Sequence, residues 1–187
     1  MLRDLTLPHP LPFRTGEAVL RRAAEQDADA LIALLADDAV SSARGDRARP
    51  EDRGLYTSAL RDILASDSND LLIAETADGV AATFQLTLIP GMARRGASRL
   101  LVEAVRVRSD LRSAGLGSAL MRWVTDAAAP QLGAGLVQLT SDAARVDAHR
   151  FYERLGFAGS HIGFKYSVAE TSEPDASPGS GATLSSS

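Results

Sequence analysis

The stretch from Val105 to Leu120, VRVRSDLRSAGLGSAL, decides the fold. An apolar strand pattern ends at Val107, a short polar loop follows, and Arg112-Ser113-Ala114-Gly115-Leu116-Gly117 leads into a helix. Two glycines at a strand-to-helix turn let backbone N–H groups approach a ligand with no Cβ in the way. The helix N-terminus adds unsatisfied donors and a partial positive charge, so the turn through Ser118 suits a phosphate or pyrophosphate. Arg112 supplies a further charged contact. The same glycines also suit close packing alone. A nucleotide P-loop is poorly supported, since no Gly-Lys-Ser/Thr follows, and a dinucleotide fingerprint fails because position 120 is Leu.

Upstream, Asp70 to Thr76 reads as a strand, Ala77-Asp78-Gly79 as a hairpin turn, and Val80 to Ile89 as its partner. Pro90-Gly91 and a basic loop, Met92 to Ser98, separate these from a third strand over Arg99 to Val107. An antiparallel meander results. Two helices precede it. The first, about Gln26 to Asp38, carries Ala28, Leu31, Ile32, Leu34 and Leu35 at helical spacing, and the second opens after Pro50 with Tyr56, Leu60, Ile63 and Leu64 on one face. Ala18 to Ala23 reads as a short strand, and the residues before it, with prolines at 8, 10 and 12, as an extended lead-in. Downstream come a helix over about Gly115 to Gln131, a strand at Leu136 to Thr140, a helix over about Val146 to Leu155 and a strand pair around Phe157 to Val168. The expected organisation is a lead-in at 1–17, one domain at 18–168 and a disordered Ser/Pro/Gly tail at 169–187.

A second segment, Arg145 to Phe157 (RVDAHRFYERLGF), puts Ala148, Phe151, Tyr152 and Leu155 on one helix face, with Gly156 placed to end the helix. Alone it reads as core packing. Together the two segments resemble the GCN5-related N-acetyltransferase superfamily. Its cofactor signature, Arg/Gln-x-x-Gly-x-Gly/Ala, is matched by Arg112, Gly115 and Gly117, and a later helix reading A-x-x-F-Y-x-x-x-G-F by Ala148, Phe151, Tyr152, Gly156 and Phe157. The wording of that helix is similar to a branch of small-amine acetyltransferases. The resemblance implies an α/β (α+β) fold with a central mixed, mostly antiparallel sheet of six to seven strands flanked by about four helices.

It also implies acetyl-CoA as co-substrate and a primary amine, small-molecule or protein, as acceptor. The pyrophosphate would lie on Arg112, Ser113, Ala114, Gly115, Leu116, Gly117 and Ser118. The exposed backbone edge at Val105, Arg106 and Val107 would polarise the thioester carbonyl, with Phe151 and Arg145 completing the cofactor site. Arg145 stands where many relatives carry an asparagine; a CoA phosphate or an anionic substrate are its alternatives. A lysine-like amine, pKa roughly 10.4, needs a base or water relay at neutral pH. Glu103 is the candidate base, on the face that strand alternation shares with Val105 and Val107. Tyr152, a phenol of pKa roughly 10, is the candidate acid for the leaving thiolate. His149 and His161 are weaker candidates for lining the pocket, and Arg94 and Arg95, in the loop before the third strand, for selecting an acidic group on the substrate. The competing reading is a non-catalytic acyl-CoA-binding sensor.

Composition narrows the field. Twenty Lys and Arg against 24 Asp and Glu give a net charge of −4, which argues against a general nucleic-acid binder. With no cysteine there is no disulfide, thiolate metal site or cysteinyl intermediate, and the three histidines are not spaced as a metal site. No apolar run reaches the roughly 18 residues of a membrane span. A cytoplasmic protein is expected; oligomeric state stays open, a homodimer being common in the superfamily the chain resembles.

Overall fold

A computed structural model describes residues 1–38, 42, 45–166 and 168. Six strands lie in chain order across one sheet: β1 (His9–Phe13), β2 (Gly16–Arg22), β3 (Asn69–Thr76), β4 (Gly79–Ile89), β5 (Arg99–Val107) and β6 (Leu136–Leu139). The first five pair antiparallel and β6 joins β5 in parallel. Helices α1 (Ala28–Ala36) and α2 (Arg53–Ala65) precede β3; α3 (Leu116–Trp123) and α4 (Val146–Arg154) flank β6. A π-helical turn at Val124–Ala128 carries α3 on to Gln131. This is the mixed, mostly antiparallel sheet of an α/β fold that the family resemblance implies.

Helices cover both faces of the sheet, and the strands show it. Leu72 and Ala74 of β3 join Phe84, Leu86, Leu100 and Val102 in the larger core, packed against Leu116, Leu120, Met121 and Val124. Their neighbours Leu71 and Ile73 turn the other way, to Leu31 of α1 and Leu60 of α2. A strand buried on both faces reads as a continuous apolar run, as LLIA does here.

The first 17 residues are not a lead-in outside the domain. Leu2, Leu5 and Leu11 are at most 4% exposed in the larger core, and β1 pairs with β2 from His9↔Leu20 to Phe13↔Gly16. Pro10 and Pro12 conceal this strand in the sequence, yet an edge strand tolerates residues that cannot donate. At the other end, the strand pair expected around Phe157 to Val168 does not form among the described residues: no strand follows α4, and Ile162, Phe164 and Tyr166 are 82–92% exposed. The tail at 169–187 lies outside the described residues.

Arg21 of β2 locks the entry to α1. It donates from Nη1 and Nη2 to both carboxylate oxygens of Asp27 at 2.8 and 2.9 Å, and from Nε to Glu75 at 2.8 Å. Asp27 also accepts from the Ala24 N–H at 2.7 Å, and its side chain is only 7% exposed. The Arg21 hydrogen bond holds the carboxyl below the ordinary 3.8. Arg21→Leu is therefore expected to cost on the order of 3 kcal/mol in urea unfolding at pH 7, because it leaves a buried carboxylate without its cation. A lowered folded pKa means stability that is present above 3.8 and lost as the pH falls through the folded value. The gap between the two proteins should close in acid; an equal gap at pH 7 and in acid would contradict this account.

Candidate functional site

Past Val102, β5 loses its neighbour: β6 pairs only with Arg99 to Val102. The edge from Glu103 to Val107 on that side is left open among the described residues. On the β4 side the register slips between Thr83 and Gln85, so that Gln85 faces Glu103 but Thr83 faces Arg106. The extra residue is housed at Ala104, whose φ of 50° is left-handed.

This bulge corrects the simple alternation. Opposed residues in an antiparallel pair share a face. Glu103 therefore shares the face of Gln85, and Arg106 that of Thr83, on the α1 and α2 side. Val105 and Val107 pack with the larger core on the opposite face. Glu103 does not share the face of Val105 and Val107. It is exposed and forms no hydrogen bond or ion pair among the described residues.

The polypeptide then turns into α3. A 3-10 turn at Ser109–Leu111 leads to Arg112; Ser113 takes φ 60° and Gly115, the N-cap, φ 98°. A Cβ on Gly115 would stand 3.1 Å from Cβ and 3.2 Å from N of Arg14, so both its conformation and its neighbour require glycine. No side chain caps α3, leaving the first-turn donors of Leu116, Gly117 and Ser118 for a ligand. Gly117 faces Phe151 and Val107, whose nearest atoms would lie 3.5 and 3.6 Å from a Cβ there. The cradle is thus a bare helix N-terminus walled by Phe151 and Val107, a fit to a pyrophosphate followed by a narrow arm. Beside it, between β1 and α3, opens a cleft of about 580 Å³ with Arg14, Gly115, Ser118 and Arg122 on its wall.

Arg112 braces the turn. Its Nη2 donates to the Asp37 carbonyl at 2.7 Å and its Nε to the Val107 carbonyl at 3.3 Å, while the Asp37 carboxylate accepts the Ser109 N–H at 2.7 Å. Ala114 N–H is bonded to the Leu111 carbonyl, and Ser113 carbonyl accepts from Arg14. Both residues therefore shape the loop. Arg145 donates to Asp38, so the ends of β5 and α4 are tied to the end of α1 through Asp37 and Asp38. Neither aspartate stood out in the sequence. Two acids at a helix C-terminus oppose its dipole, and that mismatch is the signal that cations from elsewhere meet them.

Tyr152 lies on the face of α4 toward this edge. Its ring packs edge-on against Phe151 at 5.1 Å and Phe157 at 5.9 Å between centroids. It is half-buried, and its hydroxyl forms no hydrogen bond among the described residues. Burial pushes its pKa up, against the opposing pull of the Arg106 and Arg145 charges. Arg106 is itself lowered by burial, with the charges of Asp38, Arg145 and Asp46 acting on it. The structure thus gathers Tyr152, Arg106, Arg145 and Asp38 at the open edge of β5, next to the α3 cradle. His149 is tied to the Asp142 carbonyl at 2.9 Å, and His161 pairs with Ser160 in the exposed segment. Among the described residues no group of three His, Asp or Glu is arranged to hold a metal, and no helix is long and apolar enough to cross a membrane.

Residues 18–157 match the acetyltransferase (GNAT) family. The chain belongs to that family. A Bacillus halodurans C-125 structure titled a transcriptional regulator superposes with a TM-score of 0.76 at 34% identity, over 81% of this chain and 99% of that one. The glucosamine-6-phosphate N-acetyltransferase of Arabidopsis thaliana shares the GNAT fold at TM-score 0.63 and 20% identity, over 80% and 97% of the two chains. An aminoalkylphosphonate N-acetyltransferase of Salmonella typhimurium is 38% identical over 63 residues, 34% of this chain and 40% of that protein's length.

Proposed function

We propose that this GNAT protein transfers an acetyl group from acetyl-CoA to a primary amine by direct attack within a ternary complex. When bound, acetyl-CoA supplies the acyl group as an activated thioester. The observation that carries the proposal is the Tyr152 hydroxyl: half-buried, raised by burial, without a hydrogen bond among the described residues, and beside the open β5 edge. A phenol held protonated there donates its proton to a departing thiolate. Leu116, Gly117 and Ser118 hold the pyrophosphate through first-turn N–H groups, and Phe151 and Val107 line the path of the arm. The backbone from Val105 to Val107 polarises the carbonyl as an oxyanion donor, an interaction worth about 3 kcal/mol of barrier. Glu103, exposed on the α1 and α2 face, removes the ammonium proton directly or through water. With no cysteine in the chain, attack on the thioester needs no thiol acyl-enzyme.

The acceptor side carries the Arg106 and Arg145 guanidiniums against the Asp38 and Asp46 carboxylates, two charges of each sign. A cytoplasmic location belongs to the same proposal, as does a homodimer that covers the exposed Ile162, Phe164 and Tyr166 with a second copy. A sensor that binds acyl-CoA without turnover is the second reading, favoured by the name of the Bacillus relative.

Calorimetric titration with acetyl-CoA, followed by a thiol-release assay against a panel of amines, tests the reading. Binding with release supports the transferase. Binding with no release on any amine favours the sensor, and no binding removes both.

A further inference from the structure

The sheet face under α1 and α2 contains an apolar pocket of about 130 Å³ that reaches the β5 bulge. Ile32 and Leu35 of α1, Tyr56 and Ile63 of α2, and Gln85 and Ala104 of the sheet stand on its walls. The space opens to the surface past Ala59 and Ala104, both exposed, so a guest can enter it. Water gains little there, whereas an aliphatic-lined cavity of roughly 150 Å³ takes a benzene-sized guest.

Its position says what that guest is. Ala104 is the bulge residue itself, exposed between Glu103 and the Arg106 end of the strand. Gln85 and Thr83, both on the pocket wall, are the cross-strand partners of Glu103 and Arg106. The hydroxyl of Tyr56 donates to Asp46 at 2.7 Å, and the Asp46 charge acts on Arg106 beside Tyr152. The pocket thus adjoins the candidate base and the cluster around the candidate acid. The cradle at Gly117 faces Val107 on the opposite side of the sheet. Cofactor and pocket guest therefore approach the open β5 edge from different faces, and both sites can be filled at once.

We propose that this pocket receives the apolar arm of the acceptor, which makes the acceptor a primary amine carrying an aliphatic or aromatic group of four to six carbons. The inference rests on the acetyl-transfer reading above. Its test is a graded series with saturating acetyl-CoA: ethylamine, butylamine, 3-methylbutylamine, phenethylamine and octylamine. Rates in kcat/KM should climb roughly fourfold per methylene up to the size of the pocket and fall for octylamine. Ile63→Trp, which fills the space, should flatten the series while acetyl-CoA affinity measured by calorimetry is retained. Ala59→Leu adds volume from the rim and is the milder variant should Ile63→Trp fold poorly. A flat series in the unaltered protein, or an unchanged slope in the filled variants, overturns the pocket assignment and leaves acetyl transfer standing. If acetyl-CoA binds but no amine releases thiol, calorimetry with 3-methylbutylamine against ethylamine decides. Tighter binding of the branched amine, lost in the filled variant, sustains the pocket while transfer fails; equal binding overturns it.

Discussion

Gly117→Glu is expected to lower acetyl-CoA affinity at least 100-fold while leaving the fold intact. The position is the second residue of α3, where an acidic side chain meets the positive end of the helix and is favourable by roughly 0.3–1 kcal/mol. Its Cβ fits, with Phe151 and Val107 at ordinary contact distances of 3.5 and 3.6 Å. The rest of the side chain has to lie across the cradle. There its carboxylate takes the first-turn N–H groups for itself and repels the pyrophosphate, at about 4 kcal/mol for one pair of unit charges 4 Å apart in a medium of effective dielectric near 20. Gly117→Ala separates charge from bulk: it adds only the Cβ and should bind acetyl-CoA within a few-fold of the parent. Calorimetry on the three proteins, with thermal unfolding as the control for folding, gives the answer. Unchanged affinity in the glutamate variant would remove the pyrophosphate from this turn.

Most of what this prediction uses can be read from the sequence. Glycine at 115 and 117 after a strand admits few local structures, and the antiparallel pairing of β3 with β4 follows from the Asp78-Gly79 turn and the apolar runs around it. The bulge at Ala104 is another matter. Alanine carries no signal for a left-handed φ, and one extra residue reverses the face of everything after it. That is why Glu103 appears in the sequence to share a face with Val105 and instead shares one with Gln85. Strand β1 is hidden for a different reason. Its prolines are poor strand residues, and only its place at the sheet edge, a tertiary fact, makes them acceptable. The segment after Phe157 fails in the opposite sense: Ile162, Phe164 and Tyr166 alternate as a strand does, but a strand needs a paired neighbour, and none of the described residues provides one. The Arg145–Asp38 and Arg112–Asp37 pairs join residues 107 and 75 positions apart, a separation at which local pattern carries no information.

Tyr152→Phe should reduce kcat by about 100-fold or more, the range in which positioned general acids contribute, with acetyl-CoA affinity within twofold of the parent. The substitution removes one oxygen. Phenylalanine keeps the edge-on contacts to Phe151 and Phe157, and since the hydroxyl forms no hydrogen bond among the described residues, no partner is stranded by its loss. A purely structural tyrosine would therefore leave both turnover and stability almost unchanged, which makes kcat the discriminating readout. The pH profile adds a second. Burial raises the phenol above its ordinary 10.0, so the group is protonated throughout the range from pH 6 to 9 in which an amine acetyltransferase would be assayed. Activity should rise with pH as the acceptor or its base loses a proton, and no fall from this acid should appear below the ordinary tyrosine value. In Tyr152→Phe the rising limb should persist at a lower plateau. An unaltered kcat would take the acid role from Tyr152 and return it to water at the open edge of β5, whereas a descending limb near neutrality that disappears in the variant would overturn the raised phenol pKa and not the role.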